Sequence, residues 1–200
     1  MYALVEDNTI TKTYNNPRGM TIGSVQYPQN IHSLWTEAEL NAIGIYTVVY
    51  DDTNKKDEDW YINTSQSLAF AGGVVTASYG TATARAIADR NAVDRDGVEL
   101  DPVVVIKGLK TIKKEIFDRQ AAGLLAKYDW YVIRNTEAGT SIPSAITDYR
   151  TAVRAKCNSM QAQVDGAADV DALAALFTYT ITDGVQSKPL GEWPTDPSAE

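Results

Sequence analysis

Cysteine and histidine are nearly missing from this chain: Cys157 and His32 stand alone among 200 residues. A lone thiol excludes an internal disulfide framework and every thiolate metal cluster, which need several sulfurs at close spacing. A single imidazole all but removes zinc sites built from His and Cys, and any Ser-His-Asp site could use no base except His32. Basic side chains are scarce as well. With 18 Lys and Arg against 26 Asp and Glu, the formal charge is -8 and the pI about 4.7. Such a chain repels polyanions and gains nothing from phosphate neutralisation, so nucleic acid is not expected as a partner. Long apolar runs are absent too. Stretches such as Val103 to Ile106 fall far short of the ~20 residues that cross a bilayer, and no membrane insertion is expected. The opening MYALVEDNTITKTY has neither the basic nor the apolar region of a secretory signal, so no export is expected. Gly72-Gly73 lacks a following lysine and a strand-to-helix context, which leaves no phosphate-binding fingerprint. Neither cofactor nor metal is expected.

What is present reads as an α+β chain. Tyr2 to Val5 and Thr9 to Tyr14 flank Asp7-Asn8, a pair tolerant of left-handed φ, which predicts a hairpin. A loop follows at Asn15 to Gly19. Thr36 and Glu39 form a capping-box pattern ahead of Leu40 and Ile43, with Gly44 as a stop, so one short helix interrupts the strands. Ile45 to Tyr50 and Trp60-Tyr61-Ile62 read as a second hairpin across the charged turn at 51–59. Leu68 to Phe70 and Val74 to Tyr79 make a third about Gly72-Gly73. Thr81 to Asp89 is Ala-rich, a helix or an extended arm, and Arg90 to Pro102 carries charge with few anchors, as a linker does. Ile106, Leu109, Ile112, Ile116, Phe117, Leu124 and Tyr128 then recur at helical spacing, which predicts a helix from just after Pro102 to about Lys127. Ile146, Tyr149, Val153, Cys157, Met160 and Val164 repeat the pattern with Pro143 near the first turn. Asp169 starts a third helix with Leu173 and Phe177 facing in. The expected organisation is a β-rich domain at 1–87, a linker at 88–102, a helical hairpin or bundle of two or three amphipathic helices at 103–178, and an extended tail at 179–200.

Few residues invite chemistry. No nucleophile motif accompanies His32, which reads as a structural or solvent-facing residue. Asp51, Asp52, Asp57, Glu58 and Asp59 lack the alternating ligand order of a calcium loop and read as a solvated hairpin tip. Lys107, Lys110, Lys113 and Lys114 occupy the faces that the apolar stripe leaves over, as a solvated surface does. Cys157 lies on the stripe and reads as a buried, inert thiol. What stands out is aromatic: 11 Tyr and 4 Trp, several beside Arg or Pro. Trp130-Tyr131 precedes Arg134, Tyr149 precedes Arg150, and Trp193 precedes Pro194. These residue types fill cores and also dominate interfaces. Trp193 sits in a segment too rich in Pro and Gly to build its own core, so its exposure is costly unless it docks.

From Leu124 the chain runs Leu-Leu-Ala-Lys-Tyr-Asp-Trp-Tyr-Val-Ile-Arg, then Asn-Thr-Glu-Ala-Gly-Thr-Ser-Ile-Pro, then Ala-Ile-Thr-Asp-Tyr-Arg-Thr-Ala-Val-Arg. This resembles the C-terminal signature of the tail fibre assembly proteins of tailed bacteriophages and of related small tail proteins, matched at Asp129, Trp130, Pro143, Tyr149, Arg150 and Arg154. Trp35 to Leu40 and Ile43 to Val48 are similar to the β-rich N-terminal part of marine-phage relatives of that group. The likeness spans about half the chain and is strongest over 120–155. It implies a non-enzymatic phage protein at the tail fibre or baseplate, whose partners are fibre or baseplate proteins of the same phage or copies of itself. A linker and a tail that gain order from neighbours favour a component built into the virion tail. The alternative is an assembly chaperone that acts in the host cytoplasm and is absent from the particle. A carbohydrate-active enzyme is the remote alternative, because glycosidases need two acids at a set separation and no local signature nominates a pair. The candidate site is a helical corner comprising Asp129, Trp130, Arg134, Tyr149, Arg150 and Arg154, with Trp193 in the tail. Trp130 is expected to plug the corner as a core residue, while Arg150 or Arg154 reaches back to Asp129.

Overall fold

The structure is a computed structural model that describes residues 1–197. The chain divides into two compact units, Met1–Thr83 and Ala84–Glu200. Strands and helices together make it α+β.

In the first unit, β1 (Tyr2–Glu6) and β2 (Thr9–Tyr14) form the expected hairpin, with Asp7 and Asn8 at φ 47° and 62°. A short hairpin of β3 (Met20–Ile22) and β4 (Val25–Tyr27) follows, then α1 (Ile31–Leu34), α2 (Glu37–Ala42) and β5 (Ile45–Asp51). The capping box of α2 is made in full. The Thr36 amide donates to Glu39 Oε2 at 2.7 Å and the Glu39 amide to Thr36 Oγ1 at 3.3 Å. After β6 (Tyr61–Ile62), β7 (Gln66–Ala71) and β8 (Val74–Tyr79) pair across Gly72-Gly73 as expected. A two-residue strand, β9 (Thr83–Ala84), ends this part of the chain.

The main sheet has the order β2-β1-β5-β8-β7, with β5 and β8 parallel and the other neighbours antiparallel. The hairpin expected between β5 and residues 60–62 does not form. Ile45 and Val48 are both buried, so β5 is a central strand that needs a neighbour on each side, and β1 and β8 supply them. Bonds within the 51–63 loop turn the chain away: Asp51 Oδ1 accepts from the Thr53 amide, and Asn63 brackets Lys56 through that residue's N–H and C=O. Side chains alternate across the sheet. Ala3, Val5, Val48, Val75 and Ala77 line one face, around which the sheet curls until its edge strands β2 and β7 meet. Leu4, Tyr14, Ile31, Leu40 and Ile45 line the other, under the two short helices. Gly44 closes the step from α2 into β5. Its φ is +83° and a Cβ there would stand 2.6 Å from the Val5 carbonyl, so no other residue fits.

In the second unit the segment expected as a linker is folded into a short antiparallel arm. β10 (Arg90–Asn91) pairs with β11 (Val105–Ile106), and the Ala92 amide continues the ladder to the Val104 carbonyl at 2.7 Å. Residues 81–89 are extended rather than helical. They also set where α3 (Leu109–Ala126) begins, several residues later than the sequence predicts. Val103 to Ile106 is β-branched and feeds the arm. The orphan amides of the first turn are then taken in succession: Gly108 by the Asp89 carboxylate at 2.7 Å, Leu109 by the Ala86 carbonyl and Lys110 by the Ile87 carbonyl. A Cβ at Gly108 would come within 2.3 Å of Ala88, so this close approach requires glycine.

After α4 (Asp129–Ala138) comes α5 (Ser144–Gly166), then α6 (Val170–Phe177), which starts as expected with the Asp169 carboxylate capping the Ala172 amide at 2.8 Å. α3 and α5 run antiparallel, since Lys114 pairs with Asp165 and Arg150 reaches Leu125. The predicted stripe of α5, from Ile146 to Val164, is buried throughout. It packs with Leu109, Phe117, Ala121 and Tyr128, and Phe177 stacks on Phe117 at 5.9 Å. Residues expected as an extended tail begin with a hairpin of β12 (Thr180–Thr182) and β13 (Val185–Ser187), turning at Asp183 and Gly184 with φ 53° and 77°. Residues 190–197 have no regular secondary structure, yet Leu190 is fully buried. The last three positions of the expected tail, 198–200, lie outside the described residues. No helix among the described residues is long and apolar enough to cross a membrane.

Candidate functional site

The corner between α3 and α4 is built on Tyr128. Leaving α3 at Lys127, the chain bends through Tyr128, whose ring is buried and meets Tyr149 of α5 edge-on at 5.6 Å. The Tyr128 hydroxyl donates to the Asp196 carboxylate, and Lys127 Nζ lies 3.0 Å from the other oxygen of that carboxylate, which holds the lysine's pKa above its ordinary value. Burial pushes the Tyr149 phenol up, and its hydroxyl has no hydrogen-bond partner among the described residues.

Arg150 clamps the corner. One guanidinium nitrogen donates to the Leu125 carbonyl at 2.9 Å, which also accepts from the Tyr128 amide at 3.0 Å at the end of α3, and to Asp129 Oδ1 at 2.8 Å in the first turn of α4. The Arg150 side chain is 12% exposed and Asp129 56%, so solvent screens the charge pair and the value of the clamp is mainly directional. Arg154 makes no such contact: one of its guanidinium nitrogens donates to the Arg150 carbonyl at 3.4 Å.

Trp130 is not the plug of the corner. It keeps 49% of its surface. Because residues 129–138 are helical, a step of two positions from Tyr128 rotates the side chain by roughly 200° and turns it away from α5. Trp130 instead lies against Tyr131 at 3.8 Å between centroids, and the Arg134 guanidinium covers both rings at 4.7 and 5.1 Å. The Arg134 Nε is enclosed and has no partner among the described residues. α4 has no buried residue, although Trp130, Val132 and Ile133 are all large and apolar. The result is a ten-residue helix, clamped at its N-terminal end and stopped at Gly139 in the left-handed conformation, that displays an Arg-covered aromatic pair beside aliphatic side chains.

Trp193 lies elsewhere in this unit. Its indole N–H donates to Gln120 Oε1 at 3.2 Å, and it lines a cavity of about 330 Å³ with Phe117, Met160, Phe177 and Leu190. The tail therefore docks on the helices of its own chain. Neither Tyr128 nor Asp196 stands out in the sequence as a corner residue. The readable signal was Tyr128 on the helical stripe, one residue before a Pro-free run that ends in Gly139. Cys157 is buried as expected, and burial raises its thiol pKa. The His32 ring packs on Tyr2 at 4.5 Å, with both nitrogens enclosed and unpartnered among the described residues. No group of three or more His, Cys, Asp or Glu side chains among the described residues is placed to hold a metal ion. No protein-family model, curated protein or solved structure matches this chain.

Proposed function

We propose that this protein is a non-enzymatic structural or adaptor component of a bacteriophage tail, positioned at the fibre or baseplate and acting through protein contacts made by α4. The observation that carries the docking role is a helix with no buried residue that nonetheless presents Trp130, Val132 and Ile133 to solvent on a clamped corner. Tryptophan, tyrosine and arginine supply most interface hot spots, and Arg134 stacked over two rings presents all three with little rotamer freedom left to lose. The Arg150 clamp holds the direction of the helix, so that its aromatic pair meets a partner at one angle. The phage assignment rests on the likeness of Asp129-Trp130 and Tyr149-Arg150, with Arg154, to tail fibre assembly and small tail proteins. Mass spectrometry of gradient-purified phage particles tests the placement. Stoichiometric recovery of its peptides supports a built-in tail component. Their absence from particles, with the protein present in infected cells, overturns that placement in favour of the assembly chaperone.

A further inference from the structure

Residues 13–33 of the first unit form a surface of unusual composition. The chain carries 26 acidic side chains, yet none falls between Asp7 and Glu37. In their place stand five carboxamides, Asn15, Asn16, Gln26, Gln29 and Asn30, all exposed. Several carboxamides elsewhere are committed to the chain: those of Asn54, Asn63, Asn91 and Asn135 each donate to a carbonyl or carboxylate oxygen. None of the five bonds another group among the described residues, and Asn30 leaves the start of α1 without a side-chain cap. Each therefore keeps an acceptor and two donors, in one plane, for a ligand.

The backbone that carries them is held from below. Tyr14 and Ile31 are buried, and Met20, Ile22, Tyr27 and Trp35 pack on the same cluster. Three clefts open along it. One of about 450 Å³ lies at Thr13 to Arg18, one of about 400 Å³ between Pro17 and Gln29 to Ser33, and one of about 330 Å³ between Gly19 and Tyr27. They adjoin. Pro17 lines the first two, and Gly19 of the third lies so close to the Tyr27–Gln29 backbone that a Cβ on it would stand 3.3 Å from the Tyr27 carbonyl oxygen. Tyr27 gives the third cleft an aromatic wall, met edge-on by Trp35 at 5.9 Å.

We propose that these clefts bind a neutral oligosaccharide. A carboxamide matches two neighbouring hydroxyls of a sugar, donating to one while it accepts from the other. The C–H face of a pyranose ring packs on an aromatic side chain such as Tyr27. Other ligands fit less well. Arg18 is the one Lys or Arg at 13–33, and its guanidinium lies 4.5 Å over the Tyr14 ring, so a phosphate or sulfate finds no cluster of cations. A divalent cation needs carboxylates, which the stretch lacks. A peptide needs apolar anchoring pockets, and no Leu, Ile, Val or Phe among the described residues lines any of the three clefts. Because the carboxamides sit on anchored backbone, little order has to be gained on binding. The site lies wholly in the first unit and is independent of the role of α4.

The test is saturation-transfer NMR of the full chain against neutral hexasaccharides of glucose, galactose, mannose and N-acetylglucosamine, with a sialylated and a sulfated oligosaccharide as anionic arms. Neutral hydrogen bonds gain little over water, so the expected result is saturable binding of at least one neutral sugar with a Kd of about 1 mM or below. Asn16→Ala combined with Gln29→Ala should weaken that binding at least about fivefold with circular dichroism unchanged, since both side chains are exposed and bond nothing in the described chain. Asn158→Ala, which removes an equally exposed and unbonded carboxamide on α5, should leave the affinity as it is. Binding of none of the neutral sugars, preference for the anionic ones, or wild-type affinity in the double variant overturns the proposal. So does an equal loss in Asn158→Ala.

Discussion

Truncating Trp130 separates a displayed aromatic from a core one. A whole tryptophan side chain spans up to about 250 Å², so with half of it covered the shielded part is at most ~125 Å² and is worth at most ~3 kcal/mol at 25 cal/mol/Å². The covering groups, however, are Tyr131 and Arg134, one and four residues away. Contacts this local persist in part in the unfolded chain, and alanine repays a few tenths of a kcal/mol in helix propensity. Trp130→Ala should therefore cost only about 1 kcal/mol. Tyr128 is the opposite case. Its ring is buried against Tyr149 and its hydroxyl bonds Asp196, so Tyr128→Ala should cost about 3 kcal/mol or more through the cavity and the stranded carboxylate. Urea unfolding followed by far-UV circular dichroism, which reports chiefly on the helices of the second unit, measures both. Equal losses, or a loss above about 3 kcal/mol for Trp130→Ala, would refute the reasoning, because Trp130 would then be part of the core.

Three further outcomes are expected. Arg150→Ala should cost about 1 kcal/mol by removing the links from α5 to the Leu125 carbonyl, which keeps the Tyr128 amide as a donor, and to Asp129, whereas Arg154→Ala should stay within about 0.5 kcal/mol in the same assay. Gly44→Ala should destabilise the first unit by about 2 kcal/mol or more, and Gly23→Ala, at φ +58° with nothing within 4 Å, by less; thermal melting of the two variants ranks them. Asp89 is held below its ordinary carboxylate value chiefly by the Gly108 amide. Its contribution is present above that value, near 3.8, and is lost as pH falls toward the lowered one. Acid titration of helicity should show part of the wild-type loss in that window missing from Asp89→Ala.

Local chemistry made some elements legible. Asp7-Asn8 marks its turn, Thr36 and Glu39 mark their helix start, and Ile146 to Val164 marks its buried stripe, because each signal lies within a few residues of the structure it specifies. What escaped depends on distant partners. The β5–β8 pairing joins residues about 27 apart through parallel register. α3 begins at Leu109 because carbonyls at 86 and 87 and the Asp89 carboxylate meet its first amides. At the corner, the reach of Arg150 to Asp129 was readable from the spacing of the two segments. The role of Trp130 was not. Trp130 to Ile133 is a continuous apolar run without a stripe, and only the helical phase from Tyr128 shows which ring faces α5.

The central claim, that α4 is a docking face, is tested most directly by the affinity of the full chain for the fibre or baseplate protein proposed as its partner, measured for wild type, Trp130→Ala and Ile133→Asp. Both positions are about half exposed, so folding is preserved while the proposed contact is removed. The account predicts at least a thirtyfold loss of affinity in each variant, about 2 kcal/mol, with unchanged circular dichroism. Wild-type affinity in both variants would contradict it.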